Sequence, residues 1–311
     1  MKYIALDINE TKIDLGNPIF VKITRDIDAP CDALYAIFPA ISNINELKSI
    51  KVYNLEHLVF SGIIDEQAIE YSNKGCLIKI SARNMAALLV DNEAYPQNYE
   101  RVSLKVIFDR HIKPYGFTDF IGDDKPFADK FIVHKGMSEW DVLYSFCYRF
   151  LRTNPRVVNN TVIDASGIYQ SSNKINIDNG CGIKYKNISC LIKRYKRLSE
   201  IFIRTKSNAS YDVRTYDKSA MENGISRKRY LNDFNDSRVL ASYGEDMIKN
   251  AKFNSNVIKA TCIGNAYVSI GDYADISDPI IGGIKNLVVQ KIIYSLQSSG
   301  EFTEIYMHRS E

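Results

Sequence analysis

The sequence predicts a β-rich α+β protein built from several compact units. Short strand-like runs follow one another from Tyr3–Ile8 at one end to Leu287–Leu296 and Phe302–Met307 at the other, separated by Gly, Asn, Asp and Pro. Helical periodicity appears in only a few stretches between them. The chain has 311 residues, more than one small core fills, so two to four units are expected.

Residues 1–82 read as strands. Ile19–Arg25, Ala33–Phe38, His57–Asp65 and Cys76–Ala82 alternate or run apolar, with Pro39 and Asn73-Lys74-Gly75 as breaks. This spacing suggests a small barrel or sandwich. Met85–Val90 favours one or two helical turns. The period then changes. A helix is predicted from near Asn98, with Val102, Val106, Ile107, Arg110 and His111 on one face, ended by Pro114 and Gly116. A second helix starts at Ser138, the N-cap, with Asp141 at the capping-box position. Val142, Leu143, Phe146, Cys147, Phe150 and Leu151 form its apolar stripe, and Asn154-Pro155 stops it. Val157-Val158 and Thr161–Asp164 read as a hairpin around Asn159-Asn160. Residues 167–232 are β-like and polar, with turns at Ser171-Ser172-Asn173 and Asn179-Gly180. A third helix is predicted at 237–253, with Val239, Leu240, Tyr243 and Met247 on one side. Strands at Val257–Ile263, Tyr267–Ile270, Ala274–Ile276 and a terminal hairpin complete the chain.

Hydrophobic residues are 45% and charged residues 25%, the balance of a folded protein rather than a disordered one. A net charge of +3 is too small to argue for a nucleic-acid or membrane partner. Twenty Tyr and fourteen Phe against one Trp suit half-buried sheet faces and protein interfaces alike. No apolar run approaches the ~20 residues of a membrane span, and no signal-peptide pattern opens the sequence, so synthesis in the cytoplasm is expected.

The search for chemistry is short. Cys31, Cys76, Cys147, Cys181, Cys190 and Cys262 have no CxxC spacing and read as reduced thiols. His57, His111, His134 and His308 have no metal-ligand partner at helical or strand spacing, so no metal is expected. Gly180-Cys181-Gly182 and Ile281-Gly282-Gly283 do not continue into a phosphate-binding loop, so no cofactor is expected either. Asp26, Asp28, Asp123 and Asp124 fit turns. Trp140 stands at a helix start, where packing is its expected task. The basic stretch Lys184, Lys186, Lys193, Arg194, Lys196, Arg197, Arg204 and Lys206 is interleaved with strand formers and reads as a solvated sheet face. A nucleic-acid contact there is the weakest of the functional readings.

Four places carry a family resemblance. Ile23–Asp28 with Ala29-Pro30 is similar to an early strand and its Asp-Ala-Pro turn. Gly62-Ile63-Ile64-Asp65, then Ala82-Arg83-Asn84 and Leu89-Val90-Asp91, resemble a "G-x-[VI]-D … G-R-[DS] … L-V-D" signature, with Ala82 where glycine is usual. Gly136–Val142 resembles an "x-G-[ED]-[ST]-x-[WF]-[ED]-[VL]" helix start. Gly271-Asp272, Val288-Val289 and Thr303 resemble a closing barrel. In this order they resemble the baseplate hub proteins of contractile tails, the late-control-protein-D-like family of phages and tailocins. The likeness covers most of the chain except about 167–235.

The resemblance implies two small tail-tube-like β-barrels. The expected division is a first barrel at 1–93, a small α+β domain at 94–166, a second barrel from 167–195 and 251–311, and an inserted domain at 196–250. It further implies a homotrimer that joins a six-fold tail tube to a three-fold central spike, with tape-measure and LysM-like baseplate proteins as further partners, in the tail baseplate of a virion or tailocin made in a bacterial cytoplasm. The family has no catalytic residues to carry over, so no enzyme activity is expected. The alternative is a tail-associated cell-wall hydrolase (lysin), which needs paired carboxylates or a Cys–His pair in a cleft. Strand 33–38 has apolar residues on both faces, and a face not packed inward needs cover. Tyr35 and Ile37 are therefore the candidate interface residues.

Overall fold

The computed structural model describes all residues except 41–44, 74, 168–172, 206–209, 235–236 and 310–311. Lys74, Ser171, Ser172 and Lys206 lie outside the described residues, as do the side chains of Val239, Leu240 and Tyr243. The chain divides into two compact units. One comprises Met1–Ser171, Gly264–Ile270 and Lys291–Thr303; the other comprises Ser172–Ile263, Gly271–Gln290 and Glu304–Glu311.

The first unit begins with seven strands: β1 (Lys2–Asp7), β2 (Lys12–Asp14), β3 (Phe20–Asp26), β4 (Ala33–Pro39), β5 (Leu47–Asn54), β6 (His57–Ser72) and β7 (Gly75–Arg83). Residues 291–296 from near the C-terminus pair antiparallel with β3, and the ladder continues β3-β4-β7-β6-β5-β1-β2. Alternation decides which face is buried. On β4, Leu34, Ala36 and Phe38 point inward, and on β7 Ile78, Ile80 and Ala82 do the same. They share one core with Tyr3, Ala5, Val21, Ile50, Val52, Phe60 and Tyr294. Tyr3 and Tyr294 come from opposite ends of the ladder, so the sheet is rolled around that core. The expected first barrel is nonetheless open: no described strand pair returns from β2 to residues 291–296. β2 is only three residues long, too short to carry the ladder further.

A separate core fills residues 86–165. It is built from α1 (Ala86–Asp91), β8 (Gln97–Tyr99), α2 (Leu104–Ile107), β9 (Asp119–Ile121), β10 (Phe131–Val133), α3 (Glu139–Phe146), β11 (Arg156–Val158) and β12 (Val162–Asp164). The helix expected from Asn98 starts later, because Asn98 is held opposite Ile132 in the β8–β10 ladder. After Ser103 the chain turns helical, widens into a π-turn over Phe108–Ile112, and ends at Gly116 in the left-handed region. It buries Leu104, Ile107, Phe108, His111 and Ile112. The capping box of α3 is present as the sequence predicts. Ser138 Oγ accepts from Asp141 N at 3.0 Å, and Asp141 Oδ2 accepts from Ser138 N at 2.9 Å. The 157–164 hairpin is also present, with Asn159 and Asn160 both at positive φ, the conformation of a tight primed turn. Not foreseen is its parallel pairing with β9.

The second unit contains β13 (Lys174–Ile177), β14 (Tyr185–Ile192), β15 (Glu200–Thr205), β16 (Val213–Tyr216), α4 (Lys218–Glu222), β17 (Lys228–Phe234), α5 (Ser237–Phe253), β18 (Asn256–Ile263) and β19 (Tyr273–Asp278). Two long strands, β20 (Gly282–Gln297) and β21 (Gly300–Arg309), each supply one segment to either unit. In the second unit β19 lies between β13 and residues 282–288 of β20, and β14 pairs with β18. β15 is the centre of a three-stranded sheet with β16 antiparallel and β17 parallel. Met247, Ile248 and Ala251 of α5 cover Leu198, Ile201 and Ile203. The helix comes close because Gly244 has no side chain: a Cβ there would stand 2.6 Å from Thr215 Oγ1.

Tyr267–Ile270 is not a strand. In the first unit Thr303 Oγ1 donates to Gly264 O at 2.8 Å and accepts from Ala266 N at 3.0 Å, so a side chain holds the turn that precedes this segment.

Candidate functional site

The signature residues quoted from the sequence meet in space. Arg83 leaves the end of β7, Asp65 sits at a β-bulge in β6, and Asp91 closes α1. Arg83 Nε and Nη2 donate to the two oxygens of Asp65 at 2.7 and 2.9 Å, and Nη1 and Nη2 donate to Asp91 at 3.1 and 2.6 Å. A planar guanidinium can serve two carboxylates at once, which lysine cannot. The clamp ties the rolled sheet to the first helix. Asn84 completes the corner, accepting from Ala86 N at 3.1 Å and donating its own N–H to Asp32 O at 3.0 Å. The glycine of the motif has a steric cause: a Cβ on Gly62 would lie 2.4 Å from Arg83 O and 2.8 Å from the Phe60 ring.

Arg83 holds the Asp91 carboxyl below the ordinary carboxylate range. A depressed folded pKa adds stability that is present above the unfolded value and lost as pH falls through the folded one. Replacing Arg83 by alanine is expected to cost about 1 kcal/mol in urea unfolding at pH 7, discounted for solvent screening because Asp91 is half exposed. The gap between variant and wild type should then narrow as pH drops below ~4. A gap that stays constant down to pH 2 would show that the charge pair is not its source.

The candidate interface residues lie where alternation puts them. Tyr35 and Ile37 occupy the outward face of β4, with Tyr35 between Lys22 and Ser81, and Ile37 between Phe20 and Lys79. Tyr35 is 37% exposed and its ring meets Phe20 edge-on at 5.9 Å, while Ile37 is half-buried.

The arrangement nearest to a catalytic pair was not legible in sequence. His111 Nδ1 lies 2.6 Å from Glu139 Oε2 and His111 Nε2 lies 2.8 Å from the Tyr99 hydroxyl, while Tyr115 OH donates to Glu139 Oε1 at 3.2 Å. The geometry fits an Nδ1–H donated to Glu139 with Nε2 accepting from Tyr99. His111 is 2% exposed, so the group is a satisfied polar network inside the core of residues 86–165 and not a cleft. Glu139 stands in the first turn of α3, beside the capping box; that position was the available signal. Among the described residues no three His, Cys, Asp or Glu side chains gather as a metal ion would need. The six cysteines are free thiols. Burial pushes Cys31 and Cys262 up to about 11 and Cys147 up to about 12, values of unreactive thiols. In the basic stretch, Arg197 is used by the fold: its guanidinium pairs with Asp217 at 3.0 Å.

No family model matches the sequence, and no curated protein matches it. Solved structures do. A tail protein from Neisseria meningitidis MC58 is 14% identical with a TM-score of 0.78, over 100% of this chain and 97% of that one. The 43 kDa tail protein of prophage MuSo2 from Shewanella oneidensis is 18% identical with a TM-score of 0.78, over 99% and 98%. The chain has the fold of phage tail proteins. The E. coli c3393 protein, described as a component of the type VI secretion system with structural similarity to the T4 tail proteins gp27 and gp5, matches at 6% identity and a TM-score of 0.59, over 95% of this chain and 74% of that one. The resemblance to baseplate hub proteins read from the sequence therefore holds at the level of the fold. The Asp65–Arg83–Asp91 clamp gives a physical reason for the spacing of the motif that carried it.

Proposed function

We propose that the chain is a structural hub of a contractile tail, in a phage, a tailocin or a related injection device, without enzyme activity of its own. The observation that carries the reading is end-to-end similarity of fold to tail proteins, over 97% and 98% of their own chains. Three copies would form the hub, joining a six-fold tail tube to a three-fold central spike. The rolled sheet of residues 1–83 and the sheets of the second unit would serve as its tube-like rings. Residues 94–166 and 196–250 would face the spike. A quasi-six-fold ring from three chains needs two similar modules per chain, and β-rich segments at both ends of this sequence supply candidates.

Co-expression with the tube and spike proteins of the same gene cluster tests the reading. The expected product is a complex with three copies of this chain per spike trimer, measured by light scattering and seen as a ring on a spike in electron micrographs. A chain that stays monomeric beside its spike would overturn it. If β4 forms part of a seam, Tyr35→Asp or Ile37→Asp should block assembly while the purified chain keeps its circular dichroism spectrum. Particles that assemble with both charges in place would remove β4 from the seam.

A further inference from the structure

We propose that the open face of the β15–β16–β17 sheet binds single-stranded nucleic acid, with bases stacked on its tyrosines and phosphates held by its arginines. The inference goes beyond the hub reading and does not depend on it. Charge is the first observation. Residues 193–234 carry eleven Lys and Arg against five Asp and Glu, a local charge of +6 on a chain whose total is +3. The overall balance therefore hides a strongly basic segment, the footprint of a polyanionic partner.

The fold spreads this segment over a sheet with two unlike faces. Ile201 and Ile203 of β15 pack under α5. Alternation turns Glu200, Phe202 and Arg204 the other way. In register beside Glu200 and Phe202 stand Tyr216 and Arg214 of β16 and Lys228 and Tyr230 of β17. A row of planar groups crosses this face. Tyr230 stacks on Phe202 with centroids 5.2 Å apart and planes 16° from parallel, and the Arg214 guanidinium lies 5.6 Å from both the Phe202 and the Tyr216 rings. The two ends of the row, Tyr216 and Tyr230, are 58% and 60% exposed. Every base has a π-face, so unpaired bases extend such a row, and aromatic side chains on an open sheet are a recurrent platform for single strands.

Cations frame the rings. Glu200, almost buried, pairs with both Arg214 and Lys228, so one carboxylate fixes two cations beside the row. Arg204 and Asp212 are exposed on the same face, which leaves the surplus there positive. At the end where the parallel strands β15 and β17 begin, a shallow groove is lined by Arg194, Gly224, Ser226 and Arg227. Arg194 Nη2 donates to Asn223 O at 2.6 Å, which holds its guanidinium at the groove. A guanidinium can donate to two phosphate oxygens at once. Arginines at both ends of β15 with rings between them match a strand laid along the sheet. An acidic protein surface would answer the charges alone, whereas the exposed rings select planar bases.

Fluorescence anisotropy of the full chain with a labelled oligothymidylate of about fifteen nucleotides tests this. Wild type is expected to bind, with an affinity that falls steeply as salt rises. A duplex of the same length should bind about tenfold more weakly, because its bases are already stacked on one another. Y216A/Y230A removes two rings that are more than half exposed, so the thermal midpoint should hold while affinity drops about tenfold or more. R204E/R227E, also at exposed positions, should weaken binding and flatten its salt dependence. An iodouracil-substituted oligonucleotide, photocrosslinked to wild type, should label Tyr216 or Tyr230 by mass spectrometry, a readout that needs no variant to fold. Absence of binding by wild type at low salt overturns the proposal. Wild-type affinity in Y216A/Y230A overturns it too, since the face would then read charge alone, and so does equal affinity for the duplex. None of these outcomes bears on assembly with tube and spike, so the hub reading stands or falls separately.

Discussion

Replacing Gly62 by alanine is expected to destabilise the first unit by about 2–3 kcal/mol, the upper range for overpacking a well-filled core. The added Cβ would meet Arg83 O at 2.4 Å and the Phe60 ring at 2.8 Å. The Phe60 ring could turn, but the Arg83 carbonyl is backbone, fixed between two ladders at the start of the Asp65–Arg83–Asp91 clamp. Alanine would also reduce the entropy of the unfolded chain, a gain of ~0.4–1 kcal/mol. That gain is smaller than the clash, so the net sign is destabilising. Gly283→Ala is the control. Its nearest obstruction is Ile276 O at 4.0 Å, and its midpoint should stay within experimental error or rise slightly. A Gly62→Ala protein with wild-type urea midpoint would mean that the β6–β7 pair opens easily, and the clamp could not be called rigid.

Gly62 illustrates what the sequence tells and what it withholds. The strand around it was legible from alternation, since period-two burial is a local property. That Gly62 must be glycine depends on Arg83, a residue on the neighbouring strand, and no local pattern carries that. The same division runs through the chain. The capping box of Ser138 and Asp141 and the turn at Asn159-Asn160 are written within a few residues of themselves, and both are found in the structure. The pairing of Ile23 with Tyr294 joins the two ends of the chain, and the parallel pairing of β12 with β9 is equally non-local. Val102 and Val106 have helical spacing and point to a helix from Asn98, while the β8–β10 ladder that competes for Asn98 depends on Ile132, far along the chain. The strand expected at Tyr267–Ile270 is absent; just before it, Gly264 and Ala266 are held by the hydroxyl of Thr303, a residue far along the chain. At the site, the resemblance quoted Asp65, Arg83 and Asp91 as separate motif positions. Only folding shows them to be one bidentate cluster.

Replacing Glu139 by leucine is the second change expected to have a large effect, about 2–4 kcal/mol, because it strands buried polar groups. His111 Nδ1 would lose its acceptor at 2.6 Å with no solvent to replace it, since the ring is 2% exposed. Tyr115 would lose one as well, but it is partly exposed and water can reach its hydroxyl. Glu139→Gln separates charge from hydrogen bonding. An amide oxygen can still accept from Nδ1–H, and its NH2 can donate to the Tyr115 oxygen, so a network held by a neutral imidazole should tolerate it at a cost of about 1 kcal/mol. A network held by an imidazolium–carboxylate pair should lose nearly as much with glutamine as with leucine. The same variants bear on the alternative of a cell-wall hydrolase. A His–Glu pair that performs chemistry would lose peptidoglycan clearing in a zymogram with its thermal midpoint unchanged. A pair that joins the π-turn of Phe108–Ile112 to the start of α3 should do the reverse: the midpoint falls and no clearing is seen with either protein. Clearing by wild type that Glu139→Gln abolishes without loss of stability would overturn the structural reading of this network and, with it, the non-enzymatic reading of the chain.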